Sequence, residues 1–76
     1  MIGKFKTENI VMEISKLQAE EFIGVCKILD VDLIDDNDVP RSFIDIWAEV
    51  IVKIEKLNRT RRKNLLRLLR AANEDR

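Results

Sequence analysis

An all-α fold, a small single-domain bundle of three to four helices, is what this chain predicts. Three observations carry that prediction. Two glycines and one proline punctuate 76 residues, so the backbone has few forced interruptions. Apolar residues recur at three- and four-residue spacing through most of the chain, which is the period of a helix with one buried face. Aromatics are 5% of a chain that is 46% apolar, so the core is aliphatic, with Phe22, Phe43 and Trp47 as its bulkiest pieces. A chain this short hides only about 60% of the surface its unfolded form exposes. That leaves room for one core and makes 1–76 one domain.

The first helix is expected over residues 8–17. Ile10, Met12 and Ile14 alternate like a strand, but Ile10, Ile14 and Leu17 also fit a helix. The helical reading is preferred because a lone strand has nothing to pair with, and Thr7 is placed to cap it. The second helix, 18–30, has Phe22, Val25, Cys26 and Leu29 at i, i+3, i+4 and i+7, with Glu20 and Lys27 turned away. Glu20 and Glu21 in its first turn suit the positive end of the helix dipole, and Gly24 on the polar side weakens it slightly.

The stretch "DVDLIDDNDVP" replaces that pattern with aspartates, an asparagine and a proline and predicts an acidic loop over 30–38. Its oxygens do not fall at the positions of a calcium loop starting at Asp30 or at Asp36, so a solvated connector with its tip at Asp35 to Asp38 is expected. Asp38 as cap and Pro40 in the first turn then start a third helix over 39–57. This segment carries the strongest periodicity. Phe43, Ile44, Ile46, Trp47, Val50, Ile51, Ile54 and Leu57 fill one arc at about 100° per residue, and Asp45, Glu49, Lys53 and Lys56 fill the other. The fourth helix, 59–73, is capped by Asn58 or Thr60. The expected core is Phe22, Val25, Leu29, Phe43, Trp47, Val50, Ile54, Leu65 and Leu68.

Several function classes are disfavoured by composition. There is no histidine and only one cysteine, so the usual zinc sets and an internal disulfide are absent, and Cys26 is expected as a buried small hydrophobe. No catalytic, cofactor-binding or metal-binding residue is assigned. No phosphate loop or nucleophile elbow occurs, and Asp45 with Glu49, one turn apart, reads as a charged surface completed by Lys53. An enzyme is not expected, and no cofactor is. No apolar run approaches the ~20 residues that span a bilayer, Val50 to Val52 being stopped by Lys53. The first seventeen residues lack the apolar stretch and cleavage site of a signal peptide, so a cytoplasmic address and no membrane partner are expected.

The informative feature is charge. Residues 1–57 carry seven cations against twelve anions, a balance of minus five, whereas 58–76 carry seven against two, a balance of plus five. Such asymmetry marks a candidate surface for nucleic acid or an acidic partner. In "NRTRRKNLLRLLRAAN", Arg59, Lys63, Arg67 and Arg70 form an exposed stripe, opposite an arc of Leu57, Leu65, Leu68, Leu69 and Ala72. Arg61 and Arg62 point toward the apolar side, at the end of the helix dipole that disfavours cations. They call for an offset from Glu49, Glu55 or the aspartate loop, from a second copy, or from an anionic ligand.

The two apolar arcs are broader than a small bundle covers, with Val52 and Leu66 at their edges as the expected exposed residues, and residual apolar surface marks association. The run from "AEEFIGVCKIL" to "LNRTRRKNLLRLL" resembles small proteins of bacterial mobile elements. That resemblance fits a small regulator and brings no activity or site residue with it. The leading expectation is therefore a non-enzymatic protein–protein interaction module that self-associates, with the Arg59, Lys63, Arg67 and Arg70 stripe and the acidic loop as complementary surfaces. The alternative is a nucleic-acid-binding regulator that lays Arg59, Arg61, Arg62, Lys63, Arg67 and Arg70 on phosphates.

Overall fold

The structure is a computed structural model that describes residues 6–74. It contains four helices, α1 (Thr7–Ser15), α2 (Ala19–Ile28), α3 (Phe43–Lys56) and α4 (Arg59–Glu74), as the periodicity predicts. The body measures 43 × 29 × 17 Å. Packed helices lie about 8–10 Å apart axis to axis, so the thin dimension holds two helix layers and no third. With no third layer, several apolar side chains stay open to water, among them Met12, Ile28, Ile44 and Leu68.

The core is aliphatic. Ile10 and Ile14 of α1, Val25 and Cys26 of α2, Ile46, Val50 and Ile54 of α3, and Leu65, Leu66 and Leu69 of α4 are buried together with Leu29 and Val31. α1 packs chiefly against α4 and also against α3. The ambiguous N-terminal pattern is thus resolved as helix, with Ile10 and Ile14 inward and Met12 outward. Thr7 is not its cap. It is the first helical residue, and Lys6 holds the cap position with no side-chain bond.

Each helix end has a stated cause. At the start of α2 the Gln18 N–H donates to Glu21 Oε1 at 3.0 Å, which satisfies one of the donors a helix start leaves open. Its end is a Schellman turn: the Val31 N–H donates to the Cys26 carbonyl at 2.8 Å and the Asp30 N–H to the Lys27 carbonyl at 3.2 Å. Asp30 takes the left-handed conformation that this turn requires, φ 61°,. Val31, the next residue, is buried.

The acidic segment folds back on itself as a small hairpin. Ile34 and Pro40 form an antiparallel bridge, and the Arg41 N–H donates to the Leu33 carbonyl at 2.9 Å. Asp35 closes the tip, its Oδ1 accepting the N–H groups of Asn37 at 2.8 Å and Val39 at 3.0 Å, and Asp38 is left-handed at φ 61°. This corrects the expected start of α3. Asp38 and Pro40 are consumed by the hairpin, and Ser42 is the cap, its Oγ accepting the Asp45 N–H at 3.2 Å. At α4, Asn58 is the cap, with Oδ1 accepting the Arg61 N–H at 2.8 Å. Thr60 lies inside the helix.

Two core assignments are corrected. Phe43 is 63% exposed and Leu68 59% exposed, while Leu66, expected at an edge, is 2% exposed. Phe43 is the first residue of α3 and overhangs the aliphatic core. The exchange of Leu66 for Leu68 follows from Arg62.

Candidate functional surfaces

Arg62 is half-buried and its guanidinium is directed at the last turn of α3. Nε donates to the carbonyls of Ile54 at 3.2 Å and Leu57 at 3.1 Å, and Nη2 donates to the Glu55 carbonyl at 2.7 Å. A helix leaves its last carbonyls without internal donors and concentrates partial negative charge there. The offset expected for Arg62 therefore comes from backbone of the same chain. Neither a Glu49 or Glu55 carboxylate nor the aspartate loop supplies it. With Arg62 turned inward, the buried face of α4 is drawn toward the side of Arg62, Leu66, Leu69 and Asn73, and Leu68 rolls out.

The far end of α4 is held in the same way. Asn73 Nδ2 donates to the Glu13 carbonyl at 3.0 Å and to Glu13 Oε1 at 2.9 Å, so one amide fastens α4 to the end of α1. Among the described residues Glu13 also pairs with Lys16 at 3.7 Å. The two clamps were invisible to apolar periodicity, because both are polar side chains aimed at backbone of another helix. The signal available in sequence was the inward phase of Arg62.

Along α4, Arg59, Lys63, Arg67 and Arg70 are exposed, bordering the buried Leu66 and on the side away from Leu65. Arg61 is also exposed, so the expectation that it points inward is corrected. Of the six cations singled out in the sequence, five are on the surface, four of them in one stripe, and Arg62 is part of the architecture.

A second surface lies across α2 and α3. The ring of Phe22 is 5.6 Å from that of Phe43 and 5.2 Å from that of Trp47, and Phe43 meets Trp47 edge-on at 6.0 Å with planes at 79°. These separations are those of favourable aromatic pairs. Phe22 and Trp47 are half-buried, Phe43 is the exposed member, and the adjacent Ile44 is 79% exposed. Next to this surface Arg41 donates from Nη1 to Glu49 Oε1 and to the Asp32 carbonyl, tying the hairpin to α3.

No family model matches the chain, and no curated protein or solved structure is significantly similar to it. Chemistry must therefore be read from these surfaces. Cys26 is buried, and burial, followed by the charge of Glu49, pushes its thiol up, which is the reverse of what a reactive thiolate needs. An open depression between α1 and α3 is lined by Val11, Met12, Ser15, Ile51 and Glu55 with the start of α1. None of the described helices is long and apolar enough to cross a membrane.

Proposed function

We propose that the protein is a non-enzymatic interaction module of the cytoplasm that self-associates through the aromatic face of α2 and α3. The observation that carries this reading is the exposure of Phe43: a ring packed on two others yet 63% open to water. Fully burying a large apolar side chain contributes about 1.5–3 kcal/mol, and Ile44 in the same turn adds to it. Aromatic residues of this kind anchor interfaces.

A second copy is the occupant because the face is apolar and the adjoining charges, Arg41 and Glu49, already neutralise each other. Such a surface can match itself across a two-fold axis, and the chain's formal net charge of zero adds no net repulsion between copies. Trp47 is the chain's one tryptophan and lies on the face, so it reports directly on the contact. Dilution through the association range should shift Trp47 emission to the red, and the shift should vanish in Phe43→Ser. Emission unchanged by dilution in both proteins, at every concentration that can be read, would remove the reading.

A further inference from the structure

The α4 stripe is a different surface with a different chemistry, and we infer that it grips the phosphate backbone of duplex DNA without reading base sequence. Arg59, Lys63, Arg67 and Arg70 fall within an arc of about 80° on an ideal helix and span about 16 Å along its axis. A duplex strand carries a charge about every 3.4 Å along its axis while winding around it, so a ridge of this length meets a few successive phosphates of one strand. Among the described residues, ion pairs join Lys16 to Glu13 and Arg41 to Glu49, for example. None involves Lys63, Arg67 or Arg70.

Rigidity supports the same conclusion. Arg62 fixes the start of α4 to α3, and Asn73 fixes its end to α1, while Leu65, Leu66 and Leu69 are buried between them. The backbone of the ridge is fixed before any anion arrives, so the ordering cost on binding is confined to the cationic side chains.

Other occupants fit less well. The acidic hairpin of a second copy offers a compact turn, with Asp35 already occupied by two N–H groups, whereas the stripe presents its charges along a line. A membrane surface would need apolar residues beside the cations to enter the lipid, but the leucines next to the stripe face the core and Leu68 lies well round the helix. A single strand is gripped partly by aromatic stacking, and α4 has no aromatic residue. A linear polyanion read through its backbone is what remains.

The test is fluorescence anisotropy of a labelled mixed-sequence DNA duplex, with unlabelled polyglutamate and a single-stranded RNA as competitors. Phosphate contacts from Lys63, Arg67 and Arg70 give a slope of log K against log salt of about −2.7, or roughly a fortyfold loss between about 50 and 200 mM salt. R67E with R70E should abolish most binding, and R67K with R70K should keep it. K27E with K56E makes the same change in net charge on exposed positions of other helices and should leave binding intact. Circular dichroism of each variant checks that the fold persists. The inference is overturned by any of three results: no duplex binding by the wild type at low salt, equal losses in the two charge-reversed variants, or stronger competition by polyglutamate or RNA than by unlabelled duplex.

Discussion

The Arg62 guanidinium donates to the Glu55 carbonyl at 2.7 Å while also reaching the carbonyls of Ile54 and Leu57, so a side chain of one helix caps the end of the helix before it. A charge-assisted bond of this type contributes more than a neutral one, and one planar fork serves three acceptors. Arg62→Ala should therefore cost about 1–2 kcal/mol, seen as a drop in thermal midpoint of about 4–8 °C per kcal/mol. Arg62→Lys, with a single ammonium, should recover only part. A midpoint unmoved by Arg62→Ala would show that water satisfies these carbonyls equally well.

Asp30 occupies a left-handed position that glycine takes without steric cost,. It also places a carboxylate beside the negative end of α2. Asp30→Gly should raise stability by about 0.5 kcal/mol, the gain in the folded turn being partly offset by the freer unfolded chain. Urea denaturation reads the difference, and a lower midpoint would contradict the turn assignment.

The Cys26 thiol is held neutral in the folded state by burial and then by Glu49. Its contribution to stability is complete below the ordinary thiol value of about 8.5. It is lost as pH rises from there through the elevated folded value, because the unfolded thiol ionises first. Denaturation midpoints should fall on the alkaline side in the wild type and fall less in Cys26→Ala. A thiol-reactive dye should label the native protein only at the rate of unfolding; immediate labelling in buffer would be inconsistent with a buried sulfur.

Arg41 joins the hairpin to α3 through Glu49 and the Asp32 carbonyl. Since the pair is partly solvated, Glu49→Gln should cost less than about 1 kcal/mol globally. Locally the effect should be larger: faster hydrogen exchange at the Arg41 and Asp35 amides, which donate to Leu33 and Val39, with α1 and α4 unchanged. Equal exchange in both proteins would mean that the hairpin holds itself.

Helix number and most of the aliphatic core were legible in the sequence, because a buried face leaves a repeating mark. Val25, Cys26, Val50, Ile54 and Leu65 needed nothing more than that period. The start of α3 was not legible, because Asp38 and Pro40 serve equally well in a hairpin, and only the bridge between Ile34 and Pro40 decides between them. Leu66 and Leu68 were exchanged for a related reason. The phase of α4 depends on Arg62, whose inward direction the sequence shows but whose partners, the last carbonyls of α3, it does not. The stripe could be read residue by residue, whereas the aromatic face could not, since Phe43, Phe22 and Trp47 each look like core until the end of α3 is located.

Sedimentation equilibrium of the wild type and of Phe43→Ser, across a wide concentration range, tests self-association through the aromatic face most directly. The wild type should pass from one chain mass to two as concentration rises. Phe43→Ser, whose side chain is mostly outside the core, should keep its helical content and remain a single chain throughout. A wild type that stays a single chain at every concentration, or a Phe43→Ser variant that dimerises equally well, would contradict the assigned face.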